Sequence, residues 1–198
     1  KIDVPTSRLK VNFVAPDGLE DDDIDVYFKY NDKLEKILSA MGIKRKPDIE
    51  DLNYLKKWTG ELNFEVENII IAAKQVKKGN ILKLDEFLLE LYSQKCFSKE
   101  EIKDYVAKKQ EIFDLTVRIN RALAIYVEVL DTEIDTYVNK WVAYGFDGQT
   151  LVYIASTLFK TRENSLAKMD ESVEYMRSRG FIDLTSVGDY YSQLNAQD

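Results

Sequence analysis

Twice along the chain the same plan is written out. YLKKWTGELNFEVENIIIAA, residues 54–73, returns as YVNKWVAYGFDGQTLVYIAS, residues 137–156. At a constant offset of 83, Asp48, Glu50, Tyr54, Lys57, Trp58, Ile71 and Ala72 recur as Asp131, Glu133, Tyr137, Lys140, Trp141, Ile154 and Ala155. Random helical composition yields about two such matches over a window of this length. Further on the offset grows to 85: KLDE at 83–86 is answered by KMDE at 168–171, and the turn KKGN at 77–80 lengthens to KTREN at 160–164. Insertions are tolerated in surface turns, so this is how two copies of one module drift apart. By length alone, 198 residues fit one large domain or two of about 100 residues each, so two modules are affordable.

The pattern inside each copy is helical. Leu34, Ile37, Leu38 and Met41 share one face of a helix expected from Asn31 or Asp32 to Met41, with Gly42 as its stop. Pro47 fixes a backbone angle suited to a first helical turn, and the helix after it carries Leu52, Leu55 and Trp58 inward. Val66, Ile69, Ile70, Ala73 and Val76 mark a third helix over 65–78, and Leu84, Phe87, Leu88 and Leu91 a fourth. Ser98 and Glu101 form a capping-box pattern, and no proline or glycine follows before Gly145. One helix over that stretch would be roughly 65–70 Å long, so breaks are expected near Lys109 and near Asp131, where DTEID reads as a new N-terminus. No stretch alternates convincingly at strand period. The expected fold is all-α, two tandem small helical domains of similar fold. Residues 1–30, with two prolines and the acidic run EDDDID, read as a flexible arm; 31–109 and 110–198 read as the two domains.

Composition narrows the chemistry. There is no histidine, which removes histidine-based triads, histidine-ligated metals and imidazole acid–base catalysis. One cysteine, Cys96, makes neither an internal disulfide nor a CxxC pair, and it points to a reducing, cytoplasmic setting. The longest apolar stretches are far short of the roughly 20 residues that span a bilayer. No metal site, cofactor site or catalytic constellation is expected. Beginning on Lys1 rather than methionine, the chain is expected to be a piece of a longer protein.

The order of parts resembles a known family: a helix with tyrosine four residues before tryptophan, a G/F turn, an IxxA-type helix, a K/G-rich turn, an amphipathic helix ending in a G-hydrophobic turn, and a further helix. This is similar to the DnaD-type domain of replication-initiation and primosome proteins of Gram-positive bacteria and their phages. It occurs here twice, over about residues 40–185, and more fully in YVNKWVAYGFDGQTLVYIASTLFKTRENSLAKMDESVEYMRSRGFIDL. The resemblance implies a non-enzymatic protein that binds single- or double-stranded DNA, forms homo-oligomers and engages an initiator or helicase loader. Where the family carries a tyrosine, an aliphatic residue and a tryptophan before the second glycine turn, this chain has Lys83, Phe87 and Leu91, then Lys168, Ser172 and Met176.

Two sets of residues follow from this reading. Tyr54, Trp58, Ile71, Ala72, Tyr137, Trp141, Ile154 and Ala155 are the expected structural core of the repeat, large aromatics at helix crossings rather than base-stacking platforms. The expected phosphate contacts are the basic turns: Lys74, Lys77, Lys78 and Lys83 in the first copy, and Lys160, Arg162 and Lys168 in the second, with Arg177 and Arg179 beside Tyr175. The doubled Asp85–Glu86 and Asp170–Glu171 read as carboxylates favouring the positive end of a helix, since neighbours on a helix diverge by about 100° and do not form a catalytic pair. The competing reading is a helical protein-interaction scaffold that touches no nucleic acid, motivated by the missing family aromatics and a net charge of -7.

Overall fold

The computed structural model describes residues 21–76 and 79–196, and among these every regular element is helical. In order they are α1 (Asp21–Ala40), α2 (Ile49–Lys56) continuing into a π-helical turn (Lys57–Glu61), α3 (Val66–Ala73), α4 (Ile81–Ser93) and α5 (Lys99–Ala122). Then come α6 (Asp131–Glu133), a second π-helical turn (Ile134–Val138), α7 (Asn139–Ala143), α8 (Gly148–Lys160), α9 (Leu166–Ser178) and α10 (Leu184–Asn195). The chain divides into two compact units, Lys1–Tyr105 and Val106–Asp198. That boundary falls inside α5, four residues before the expected division at 109/110.

Two expectations about element ends are corrected. The first helix starts at Asp21, so residues 21–30 of the expected arm are helical, while 1–20 lie outside the described residues. Helix α5 runs unbroken through Lys109. Ile102 is buried in the first unit's core, and Leu115, Ile119 and Leu123 belong to the second unit's core. The break expected near Asp131 is present, and Glu133 accepts from the Leu130 backbone N–H at 3.3 Å. Helix α5 is stopped by Ala124, two residues past its last, held at φ 59, with the Ile125 N–H reaching back to the Asn120 carbonyl at 2.8 Å. Glycine is the usual residue for such a left-handed stop, which is why this end escapes a search for glycine or proline.

In the first unit the core is built from Leu34 and Ile37 of α1 with Met41 just past its end, Leu52 and Leu55 of α2, Trp58 of the π-helical turn, Ile69, Ala72 and Ala73 of α3, Leu84, Leu88 and Leu91 of α4, and Ile102 of α5. Asp48 and Asp51 cap α2 reciprocally, the Asp51 N–H donating to Asp48 at 3.1 Å and the Asp48 N–H to Asp51 at 2.9 Å. Asp51 is fully buried, and the Arg45 guanidinium holds it at 2.7 Å, a bond that raises the arginine's own pKa. The second unit buries Leu115, Ile119 and Leu123, Val138, Trp141 and Phe146, Leu151, Ile154, Ala155 and Leu158 of α8, Met169, Val173 and Met176 of α9, and Val187 of α10.

One arrangement recurs in both units and explains the repeated tryptophan. The indole N–H of Trp58 donates to Asp85 of α4 at 2.8 Å, and the Lys57 ammonium sits 2.7 and 2.8 Å from the two oxygens of that carboxylate. In the second unit the indole of Trp141 donates to Asp170 of α9 at 2.8 Å, with Lys140 bonding the same carboxylate at 2.8 Å. Both indoles are wholly buried, so the carboxylate satisfies a donor that would otherwise be stranded in the core. Each tryptophan is also covered by its tyrosine, Tyr54 at 5.6 Å and Tyr137 at 5.7 Å between ring centroids.

This corrects the reading of Asp85 and Asp170. Each is the fifth residue of its helix, past the first turn, and its work is a tertiary hydrogen bond and ion pair. Among the expected core residues, Trp58, Ala72, Trp141, Ile154 and Ala155 are fully buried, while Tyr54 and Tyr137 are half-buried lids. Ile71 is half-buried too, and the reason is a shift of register. Six positions lead from Trp58 to Phe64 but five from Trp141 to Phe146, the additional residue being taken up in the π-helical turn, where the Leu62 N–H bonds the Lys57 carbonyl at 3.1 Å. After that turn the like-buried pairs are Ala72 with Ile154 and Ala73 with Ala155, an offset of 82 rather than 83.

Candidate nucleic-acid interface

The expected basic contacts fall into separate places. Lys74 caps the C-terminus of α3 and is exposed; Lys83 is exposed on the first turn of α4, where its backbone N–H is capped by Asn80 at 3.0 Å. Lys77 and Lys78 lie outside the described residues. In the second unit, Lys160 ends α8 and Arg162 follows it at φ 64, in a turn that the Glu163 N–H closes onto the Leu158 carbonyl at 3.0 Å. Lys168 opens α9 and is spoken for: Glu171 accepts from it at 2.6 Å, and that bond raises its pKa.

Arg177 and Arg179 do not join that turn. Nine residues separate Lys168 from Arg177 along α9 and its end, about 13 Å of helical rise. They belong instead to an aromatic surface at the other end of α9. The Arg177 guanidinium carbon lies 3.6 Å from the centroid of the Tyr144 ring, and Arg179 lies 5.5 Å from that of Tyr175. Tyr175 meets Tyr190 of α10 at 5.6 Å, and Tyr190 meets Phe181 at 5.8 Å and Tyr191 at 5.4 Å. Tyr191 in turn meets Tyr153 of α8 at 6.2 Å.

The pKa shifts on this surface have identifiable causes. Burial pushes the Tyr191 phenol up to about 12, and burial together with the Tyr175 hydroxyl raises Tyr190. Tyr144 is raised chiefly by its hydrogen bond to Glu174 at 2.8 Å. Lys140 is raised mainly by the bond to Asp170, and it also lies 3.3 Å from Glu174.

Sequence reasoning named Tyr175, Arg177 and Arg179 as candidates but not Tyr144, Phe181 and Tyr190, which the structure places beside them. The available signal was the doublet Tyr190–Tyr191 on a helix capped by Asp183, three turns after the arginines. Among the described residues no group of three or more Cys, Asp or Glu is placed to hold a metal ion, and no helix is long and apolar enough to cross a membrane.

Fold and surface together define a protein, helical throughout its described elements, whose two units each hydrogen-bond a buried tryptophan to an aspartate, one of them displaying arginines on tyrosines. Set against models of known families, curated proteins and solved structures, the chain finds no match.

Proposed function

We propose that the chain is a non-enzymatic DNA-replication-initiation or primosome protein, made of two copies of a DnaD-like helical module. In this reading it acts in the cytoplasm on single- or double-stranded DNA, as a homo-oligomer, with an initiator or helicase loader as partner. The observation that carries it is the tryptophan–aspartate–lysine arrangement, present at matching positions of both units with matching bond lengths. Its surroundings agree. Leu34, Ile37 and Leu38 of α1 with Met41 just past it answer to Thr116, Ile119 and Asn120 of α5 with Leu123 just past it, at an offset of 82, and all eight are buried. The left-handed stops Gly42 and Ala124 follow at the same offset, and Lys95 and Gly180 do so at 85. Ile102 and Val187, both fully buried, continue the offset of 85 into the helix beyond.

The module is therefore drawn as a helix, a tryptophan-bearing helix, two amphipathic helices and the beginning of one more, the order on which the resemblance to DnaD-type domains rests. Fluorescence anisotropy of the full chain with labelled single- and double-stranded oligonucleotides, titrated over salt, tests the DNA role. Binding that weakens log-linearly with salt is expected. A monodisperse sample that binds neither strand form at low salt defeats it.

The interaction scaffold remains the second reading, and one observation favours it. Lys57, Lys140 and Lys168 are engaged by Asp85, Asp170 and Glu171, which leaves fewer cations for phosphate in a chain of net charge -7.

A further inference from the structure

The two units differ at the C-terminal ends of α4 and α9, helices that the repeat places at equivalent positions. At the offset of 85 that relates α4 to α9, Tyr175 stands where the first unit has Glu90, Arg177 where it has Tyr92, and Arg179 where it has Gln94. Tyr190 stands where the first unit has Tyr105, whose hydroxyl donates to Glu90 at 2.5 Å. The first unit closes the same helix end with a carboxylate at that position, so an arginine–tyrosine surface is not a requirement of the packing. What it adds in the second unit is an exposed ring, Tyr175 at 42 %, with Arg179 at 5.5 Å and Tyr190 at 5.6 Å from its centroid and Arg177 over Tyr144.

We propose that this surface, Tyr175 with Arg177, Arg179, Tyr144 and Tyr190, is the contact for single-stranded DNA, and that the first unit has no equal of it. The proposal rests on the replication reading above and moves its nucleic-acid contact away from the basic turns. Base-stacking needs a ring at the surface and cations beside it for phosphate, and here exposed Tyr175 supplies the ring while Arg177 and Arg179 supply the cations. The guanidinium of Arg177, 3.6 Å from a ring it already lies over, is oriented before any ligand arrives. Glu174, the nearest acid on α9, is occupied by the Tyr144 hydroxyl at 2.8 Å and Lys140 at 3.3 Å, which offsets its repulsion of phosphate. Asp189 adjoins Tyr190 in sequence, but successive residues of a helix point about 100° apart. By contrast, at the α8–α9 turn Lys168 is paired with Glu171 at 2.6 Å.

The test uses the full chain and a labelled oligothymidylate, read by anisotropy over a salt series, with circular dichroism and thermal melts to confirm folding. Tyr175→Ala is expected to weaken binding about tenfold or more, the loss typical of one stacked base. Arg177→Gln with Arg179→Gln is expected to flatten the log–log salt slope by about 1.4, two phosphates at 0.7 each. Lys160→Gln with Arg162→Gln is expected to change the affinity less than twofold, within ordinary surface-substitution effects. If the chain binds but the loss follows Lys160 and Arg162, the inference is overturned while the replication reading stands. Unchanged affinity in folded Tyr175→Ala also overturns it, and would mark the surface as a protein contact. A chain that does not bind the oligonucleotide at all overturns the inference, and failure to bind duplex DNA as well defeats the DNA role of the replication reading.

Discussion

Replacing Asp85 by alanine removes one carboxylate and strands two donors at once. The indole N–H of Trp58 has no route to water, because the side chain is wholly buried, whereas Lys57 is 31 % exposed and can hydrate. A buried donor left unsatisfied costs about 1–3 kcal/mol, and the bond it loses is to a charged acceptor, so Asp85→Ala is expected to cost about 2–4 kcal/mol. Asp170→Ala is expected to cost less, about 1–2 kcal/mol, because Asp170 is 25 % exposed against 9 % for Asp85, and Lys140 keeps Glu174 at 3.3 Å. Asp85→Asn retains an oxygen acceptor for the indole and should lie below the alanine variant. Urea unfolding followed by intrinsic fluorescence reads both units, since Trp58 and Trp141 are the chain's two tryptophans and each belongs to a different unit. A cost for Asp85→Ala below about 0.5 kcal/mol, the scale of ordinary surface changes, refutes the reasoning, and so does the reverse order of the two alanine variants.

Three further outcomes are expected. Asn120 is buried with neither side-chain amide atom hydrogen-bonded, at the place where the first unit has buried Leu38; Asn120→Leu should stabilise the chain by about 1–3 kcal/mol in the same urea assay, and a loss of stability contradicts this. Ala124 occupies φ 59 where the first unit places Gly42 at φ 80, so Ala124→Gly should stabilise the chain and Gly42→Ala destabilise it, each by about 1 kcal/mol, read by calorimetry. Tyr191 ionises in the folded chain at about 12, above its ordinary value of 10.0, so the folded state holds that proton when the unfolded state has lost it. Stability should therefore fall as pH rises from about 10 to about 12, and pH-dependent melts of Tyr191→Phe should show a shallower decline over that window.

Much of the helical plan was legible from periodicity, because Leu34, Ile37 and Met41, or Leu84, Leu88 and Leu91, occur at spacings that only a helix places on one face. The buried tryptophans were legible too, since a large aromatic one turn after a tyrosine on an apolar stripe belongs at a helix crossing. What escaped was the partner of each indole. Asp85 is 27 residues from Trp58 and Asp170 is 29 from Trp141, and propensity rules see only local neighbours. Their common appearance in KLDE and KMDE was visible as a repeat, yet helix electrostatics offered a local explanation that the tertiary bond displaces. The slip at Ile71 has a similar origin: identical letters at offset 83 hid a one-residue change that the π-helical turn absorbs. The candidate site was half legible, since Arg177 and Arg179 stood beside Tyr175 in sequence, whereas Tyr144 and Tyr190 reach them only through the packing of α7 and α10 on α9.

The proposed duplication meets its most direct test in the indole region of a proton–nitrogen correlation spectrum. Two indole N–H signals are expected, both slow to exchange with solvent, with Asp85→Asn shifting the Trp58 signal alone and Asp170→Asn the Trp141 signal alone. An indole N–H that exchanges at the rate of a solvent-exposed side chain, or that ignores the change in its own aspartate, contradicts it.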